Sequence, residues 1–303
     1  MEIPHHLKEL YRHWESHVVL HDSPAVEEVF TDAKLFKEVE WFIHERIHIW
    51  EQKVTGAQPP YTQDPIFSKY RFCNILREFD RQTIEFHTLL NPLRDNFPLW
   101  LLNMFYCRMV ARIETIQYAG LLSFNNSKNK KVYERLMNSP RPRFGTPYVF
   151  PVSVIQKSST PTRELFITEY LPAIMQTVAD EITAWENKSV IDGLTQIIPL
   201  FKFNLHFLWT EVLIDVAYQF PQYIDLFEEF PVGPGSLPTM QRINSSIKPS
   251  LLVQQLGNHS FDAGLTYNNK LTRLSAENWE GIGCEFRKYT NLSQGLGRKR
   301  LFR

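Results

Sequence analysis

Apolar residues recur at helical spacing along most of the chain, and this pattern predicts a mainly α protein. Between residues 25 and 53 the apolar stripe consists of Val39, Phe42, Ile43, Ile47 and Trp50. The other predicted helices span residues 1–23, 99–122, 132–137, 164–186 and 197–220. One short β segment is predicted at 148–155, so strands contribute little to the expected fold.

The stretch from Thr62 to Leu90 has the most clearly marked helix start. Asp64 suits the N-cap and Pro65 suits the first helical position. In a continuous helix the apolar face holds Phe72, Ile75, Leu76 and Phe79. A separate face holds Arg71, Asn74, Arg77 and Arg81. Such an arginine face is either a solvated surface with ion pairs or a site for phosphate or a planar polar ligand, and the pattern leaves both open.

Composition narrows the class of protein without naming a reaction. The chain has 33 Lys plus Arg and 33 Asp plus Glu, so no net field attracts nucleic acid and such binding requires a local patch. Its three cysteines form no CxxC and no zinc-type cluster with histidine, so we expect no metal site and no cofactor. No signal peptide or membrane span is predicted, which indicates a cytoplasmic protein.

The apolar helix predicted at 197–220 contains two carboxylates, Glu211 and Asp215, on the same stripe as Asn204. A carboxylate in an apolar helix must be paired, hydrogen-bonded or protonated. One interpretation is an internal ion pair with an arginine of the 62–90 stretch. The other is a catalytic carboxylate whose pKa is tuned by its surroundings.

Two later stretches have the composition of a nucleic-acid contact. The turn Gly233-Pro234-Gly235-Ser236 has glycines that permit close approach of a ligand to the backbone, although a plain structural turn explains it equally simply. The basic tail, residues 281–303, interleaves Arg and Lys with Phe and Tyr. This suits either a surface that follows a DNA backbone or a solvated terminus.

Six stretches in this order resemble a known family. They are Glu45 to Trp50, Tyr61 to Pro65, Arg71 to Asn74, Arg77 to Arg81, Val232 to Ser236 and Cys284 to Tyr289. They look like the alpha-glutamyl/putrescinyl thymine pyrophosphorylase group of DNA base-hypermodification proteins, which also supplies the helical domain of hydroxymethyluracil DNA kinases. The resemblance covers about residues 40 to 300.

The resemblance implies an all-helical fold similar to that of DNA glycosylases and action on a modified pyrimidine in DNA. Some members replace an activated hydroxymethyl group with an amine or amino acid, and relatives excise hypermodified bases, including in defence against phages. The matching positions are Arg46, Thr62, Asp64, Arg71, Asn74, Arg77, Asp80, Arg81, Asp215, Gly233, Gly235, Glu285 and Lys288. One departure is that residues 198–202 lack the glycines of a helix-hairpin-helix glycosylase.

From these patterns we predict one helical domain over 1–303, with a core at about 38–300 and an N-terminal extension at 1–37. The predicted function is a DNA glycosylase that flips out and excises a hypermodified pyrimidine, derived from a hydroxymethyl base and for example glucosylated, leaving an abasic site in defence against phages. Its predicted partner is modified double-stranded DNA of phages. Asp215 and Glu211 are the predicted catalytic residues. The residues predicted to contact DNA or the base are Arg46, Thr62, Asp64, Arg71, Asn74, Arg77, Arg81, Gly233, Gly235, Ser236 and Lys288.

Two alternatives to the glycosylase remain open. The first is a transferase that replaces a pyrophosphorylated hydroxymethyl group on a thymine-type base with an amine or amino acid. The chain has no GxxxxGK[ST] phosphate-binding loop, so this transferase would not make its own activated substrate. The second alternative is a module that binds modified DNA without changing it. The sequence does not indicate an oligomeric state.

Overall fold

Helices account for most of the regular structure in this computed structural model, which describes residues 1–14, 23–146, 150–157 and 160–297. The predicted mainly α class is therefore confirmed. Chain contacts define two compact units. The terminal unit combines Met1–Asp80 with Leu226–Arg303, and the central unit is Arg81–Asp225. That the whole chain works as one domain stays a prediction.

In chain order the helices are α1 (His5–Leu10), α2 (Ala33–Val54), α3 (Pro65–Lys69), α4 (Arg81–Leu90), α5 (Phe97–Val110), α6 (Ile113–Ala119), α7 (Asn126–Asn138), α8 (Val152–Lys157), α9 (Leu171–Thr183), α10 (Val190–Phe201), α11 (His206–Gln219), α12 (Leu237–Ile243), α13 (Pro249–Asn258) and α14 (Ala276–Ser293). A short turn (Arg163–Leu165) and a π-helical turn (Phe166–Tyr170) lead into α9. The 3-10 turns are Val26–Val29, Arg77–Phe79 and Asn91–Leu93. None of these described helices is long and apolar enough to cross a lipid bilayer.

An aromatic cluster joins α2, α3 and α14 in the terminal unit. Phe42 of α2 is fully buried, and its ring centroid lies 5.5 Å from that of Phe67 and 5.5 Å from that of Phe286. Tyr289 adds a fourth ring, 4.8 Å from Phe67. Because aromatic pairs at these distances add to the free energy of apolar burial, the cluster fixes α3 against both long helices.

The β structure within the described residues is a two-residue hairpin pair, β1 (Thr266–Tyr267) and β2 (Lys270–Leu271). Its turn residues Asn268 and Asn269 both have positive φ, at 49° and 63°, which matches the type I′ turn that asparagine tolerates. The prediction of a strand at 148–155 is wrong for its described residues, because α8 begins at Val152. Residues 147–149 lie outside the described residues, as do 15–22 of the predicted opening helix.

The prediction of one long helix after Asp64 is wrong. The helix that begins there, α3, ends after five residues, the chain from 70 to 76 is irregular, and α4 begins at Arg81. The carbonyls of this irregular stretch are bound by side chains from α2 and α14. Long-range hydrogen bonds therefore override the local helical pattern.

Two other predicted helices are each interrupted by a residue with positive φ. The helix predicted at 99–122 breaks at Ala111 (φ 53°), between α5 and α6. The helix predicted at 197–220 breaks at Lys202 (φ 65°), which ends α10 just after Pro199. The basic tail is helical as far as Ser293, and residues 298–303 lie outside the described residues.

Two glycines in the terminal unit provide a matched test of packing. A Cβ added at Gly257 of α13 would lie 2.8 Å from the backbone nitrogen of Ala276, whereas one at Gly281 of α14 would meet nothing within 4 Å. We expect Gly257→Ala to lower the free energy of unfolding by about 1–3 kcal/mol, because backbone cannot move aside as a side chain does. Gly281→Ala should raise it by roughly 0.5–1 kcal/mol through helix propensity. Urea denaturation of both variants checks this, and similar changes in the two would contradict the close approach.

Candidate functional site

Residues 70–76, the motif loop, are held in place by a buried arginine. Arg46 of α2 is 5% exposed, and its Nη2 donates to Cys73 O at 3.0 Å and to Phe72 O at 3.4 Å. Burial lowers the pKa of Arg46, and the nearby Glu285 carboxylate opposes that shift. Arg46 is therefore a structural cation beneath the loop, with its hydrogen bonds directed to backbone carbonyls.

Lys288 and Glu285 of α14 hold the other side of the motif loop. Lys288 Nζ donates to Arg71 O at 2.6 Å and to Glu285 Oε2 at 3.0 Å, and it lies 4.4 Å from the centroid of the Phe72 ring. The Cys73 backbone N–H donates to Glu285 Oε2 at 3.1 Å. The helix thus supplies one cation and one carboxylate that together match the donors and acceptors of the loop.

Asp64 caps α3 as the sequence predicts, and it also bonds to α14. Its Oδ1 accepts the N–H groups of Ile66 and Phe67 at 2.9 and 2.8 Å, and its Oδ2 accepts the Tyr289 hydroxyl at 2.8 Å. Burial and this bond to Asp64 raise the pKa of Tyr289. Thr62 Oγ1 accepts from the Asp64 N–H at 3.0 Å. These predicted DNA-contact residues are engaged in holding the start of α3.

Asn74 organises the end of the motif loop. Its side-chain Nδ2 donates to Phe79 O at 2.6 Å, and its backbone N–H donates to Asp80 Oδ1 at 3.1 Å. Arg77, also predicted as a DNA contact, opens the 3-10 turn that follows and is half-buried. Asn74 therefore fixes the local backbone path, and the two residues do not lie on one continuous helix as predicted.

Arg71 is the one cation among residues 70–76, and its side chain is exposed while its carbonyl is bound by Lys288. Burial lowers the pKa of Lys53 on α2, and the positive charges of Arg46 and Arg71 lower it further. The three cations therefore lie close enough to repel one another, and the carboxylates of Asp80, Glu285 and Glu45 partly offset their charge. A phosphate or pyrophosphate would reduce the repulsion further, and a guanidinium offers such an anion paired donors. Lys53 was not among the predicted site residues, although it lies seven residues after Arg46 on the same helix.

The glycines of the 233–236 turn are used for packing within the terminal unit. A Cβ added at Gly235 would lie 2.6 Å from Cys284 Sγ on α14, and the Gly233 N–H donates to Glu280 Oε1 at 3.0 Å. Ser236 is fully buried. Neither glycine has a positive φ, so the turn needs small residues because a helix passes close to it.

In the central unit, Asp215 of α11 lies in a buried polar network. Arg108 Nε donates to Asp215 Oδ2 at 2.6 Å, and His87 Nε2 lies 3.0 Å from Asp215 Oδ1. Gln219 Nε2 lies 2.8 Å from His87 Nδ1, an arrangement in which Nε2 carries the hydrogen donated to Asp215. Burial alone would raise the pKa of Asp215, but the charge and hydrogen bonds of Arg108, with His87, hold it below its usual range.

The sequence proposed an arginine of the 62–90 stretch as partner for Asp215, and the structure identifies Arg108 instead. The sequence does contain an indication of this partner, because Arg108 is the single cation in the otherwise apolar α5. Glu211 is buried one turn before Asp215 on α11. Arg81, which was predicted to contact DNA, is exposed at the start of α4 and pairs with Glu85 at 3.4 Å. Asp215 is fully buried with both oxygens bonded, and a catalytic part for Asp215 and Glu211 stays a prediction.

The terminal unit is thus mainly helical and holds a polar loop clamped between two long helices, α2 and α14. A profile of the family described as "5-hmdU DNA kinase, helical domain" matches residues 33–295, and the chain belongs to this family. The curated 5-hmdU DNA kinase of Bacillus phage SP10 is 25% identical over 291 residues, covering 82% of this chain and 43% of that relative. The chain therefore spans less than half the length of the curated relative. No solved structure matches.

These findings correct the predicted function. A kinase transfers phosphate, so the prediction of a glycosylase that hydrolyses N-glycosidic bonds is wrong, and its abasic product and its part in defence by base excision fall with it. The transferase alternative agrees better with the family. The predicted likeness to the fold of DNA glycosylases gains no support from a solved structure.

Proposed function

We propose that this chain acts in the modification of hydroxymethyluracil DNA, as a transferase that replaces an activated hydroxymethyl substituent with an amine or amino acid. The observation that carries the proposal is the family match over residues 33–295, which includes every stretch that forms or clamps the motif loop. Its partner would be modified double-stranded DNA of the phage type, in a cytoplasmic setting.

The reaction we propose is a substitution at the exocyclic carbon of the base. The C–O bond to pyrophosphate breaks and its electron pair leaves on the pyrophosphate. The amine nitrogen forms the new C–N bond and releases one proton. The base must leave the stack for this carbon to be reached. The accessible cation Arg71, with Lys53 nearby, suits the departing pyrophosphate, because fixed cations stabilise charge that develops in the transition state.

Phosphorylation of the hydroxymethyl oxygen is the second candidate, since the relative from phage SP10 is named a kinase. The absence of a GxxxxGK[ST] loop from the whole sequence favours substitution over phosphorylation from a nucleotide. We therefore place the making of the activated substituent outside these 303 residues.

The proposal is tested by mass spectrometry of nucleosides from treated DNA. Duplexes containing thymine, hydroxymethyluracil or pyrophosphorylated hydroxymethyluracil are incubated with the protein and a primary amine or amino acid. We expect an amine adduct only with the pyrophosphorylated duplex, and a rate at least tenfold lower for Arg71→Ala, about 1.4 kcal/mol in the barrier. Arg242→Ala, an exposed arginine of α12, is the control and should retain the rate. An unchanged base in all three duplexes would leave only a binding module and defeat the proposal.

A further inference from the structure

Helix α7 of the central unit carries three cations in a row, which we call the basic row. Lys128, Lys131 and Arg135 stand at positions i, i+3 and i+7 of this helix. At helical geometry they lie within about 60° of the circumference and over about 10.5 Å of the length. All three side chains are exposed. The buried residues line an adjacent side of α7 and are Asn129, Val132 and Leu136.

The charge of the basic row is not neutralised within its own unit. Among the residues that the structure describes, no carboxylate lies within ion-pair distance of these three side chains. The acidic residue of α7, Glu134, lies outside the row and one turn after Lys130. On the neighbouring helix α6, the exposed Glu114 pairs with Arg112 at 3.8 Å. The row therefore presents three positive charges to solvent.

The basic row is placed where it works against the stability of its helix. Lys128 stands in the first turn of α7, and that turn contains no acidic residue. The helix dipole makes the N-terminal end positive, so a cation there is unfavourable. Like charges spaced three or four residues apart on a helix also repel. A bound polyanion would reduce both costs, which indicates that these cations serve binding rather than folding.

Arg135 lies beside a glycine that leaves it room. A Cβ added at Gly120, just after α6, would lie 3.6 Å from Arg135 Nη1, and the φ of Gly120 is 89°. Tyr118, two residues earlier, is 50% exposed and offers a hydroxyl donor. Arginine, lysine and tyrosine side chains all donate to phosphate oxygens of nucleic-acid backbones. The donors around α7 are thus of the type that binds phosphate.

The length of the basic row matches a strand of DNA. Phosphates of one strand follow one another every 3.4 Å or so along the axis, so about 10.5 Å corresponds to about three phosphates. A helix that lies on a lipid surface needs an apolar face to insert. Val132 and Leu136 are instead buried in the central unit. A regular chain of phosphates therefore suits the row better than a membrane does.

We propose that the basic row binds the phosphate backbone of one strand of duplex DNA, whether or not the bases are modified. The choice of DNA among polyanions rests on the proposed function. The net charge of the chain is zero, so DNA binding requires a local patch such as this one. The row holds phosphates that every nucleotide carries, whereas Arg71 and Lys53 are proposed to meet the pyrophosphate of the reacting base.

The test is fluorescence anisotropy of the full chain with a labelled thymine duplex of about 20 base pairs, at salt concentrations from about 50 to 200 mM. The variant combines Lys128→Gln, Lys131→Gln and Arg135→Gln. We expect at least tenfold weaker binding at the lowest salt. The slope of log affinity against log salt should fall by about 2–3, because each phosphate contact contributes about 0.9. A hydroxymethyluracil duplex should show the same loss. The Tm should not fall, because the changes remove repulsion between like charges.

Lys130→Gln is the matched control, since Lys130 is an exposed lysine of the same helix outside the basic row. It should retain the affinity within about twofold. An unchanged affinity and slope in the triple variant would overturn the inference, as would an equal loss in Lys130→Gln. A loss confined to the hydroxymethyluracil duplex would assign the row to the modified base and also overturn it. Loss of binding to phosphatidylserine vesicles with DNA binding intact would assign the row to a membrane instead.

Failure of this proposal can be told apart from failure of the proposed reaction. Unchanged DNA affinity in the triple variant refutes the basic row, whether or not the protein transfers an amine. The expected loss of affinity in that variant, with no amine transfer by the unchanged protein, refutes the reaction alone.

Discussion

Replacing Arg108 with methionine is expected to lower the free energy of unfolding by about 3–5 kcal/mol. The substitution keeps most of the side-chain volume but leaves Asp215 ionised in the core without its main cation. Arg108 is 2% exposed and Asp215 is fully buried, so water cannot take the place of the guanidinium. Urea denaturation followed by circular dichroism measures the loss.

The matched control is Arg112→Met, the same change four residues along the chain. Arg112 pairs with Glu114 at 3.8 Å, and the side chains are 36% and 67% exposed. Exposed pairs of this kind contribute at most about 1 kcal/mol. A similar loss in both variants would show that Arg108 does not have the special burial that its contacts indicate.

Replacing Arg46 with methionine is expected to destabilise the terminal unit by about 2–3 kcal/mol. The change removes the donor to the Phe72 and Cys73 carbonyls, and an unsatisfied buried group costs about 1–3 kcal/mol. The motif loop should then exchange its amide hydrogens faster, because one of its two clamps is gone. Hydrogen exchange with mass spectrometry, read on peptides that cover residues 70–76, measures this second effect.

Arg287→Met serves as the control for Arg46. Arg287 of α14 also donates to two backbone oxygens, Pro234 O at 2.8 Å and Gly235 O at 3.5 Å, but its side chain is exposed. Water replaces an exposed donor at little cost, so we expect a loss below about 1 kcal/mol. Faster exchange of the motif loop in Arg287→Met but not in Arg46→Met would contradict the assignment of the clamp.

Local signals in the sequence were sufficient for α2 and for the start of α3. The stripe from Val39 to Trp50 predicted α2, and Asp64 with Pro65 located the start of α3 to the residue. N-caps and periodicity act over three or four residues, so they can be identified without knowing the rest of the fold. The same local reasoning identified Asp215 as a carboxylate that needs a partner.

The features that the sequence did not predict depend on residues far apart in the chain. The helical pattern of 70–81 is interrupted because Lys288, 217 positions away, binds the Arg71 carbonyl. The partner of Asp215 is 107 positions away. A cavity at the start of α11 is lined by residues of three separate segments, 150–151, 163 and 204–208, and no segment carries a motif by itself.

The predicted glycosylase reaction was wrong because one sequence pattern fits two interpretations. A carboxylate in an apolar helix fits hydrolysis, but it fits a buried ion pair equally well. At Asp215 the geometry supports the ion pair, through Arg108 and His87. What separates hydrolysis from group transfer is the match to a DNA kinase family.

Substitution at an activated hydroxymethyl group releases one pyrophosphate for each amine joined to a base, so both products of one reaction can be counted. A duplex with a single pyrophosphorylated hydroxymethyluracil is incubated with the protein and a ¹⁵N-labelled amine. Released pyrophosphate and labelled base are then quantified together. We expect equal amounts of the two, with every base still joined to its sugar. Free base, pyrophosphate release without label, or a phosphorylated base formed from ATP and unactivated DNA would each contradict the substitution.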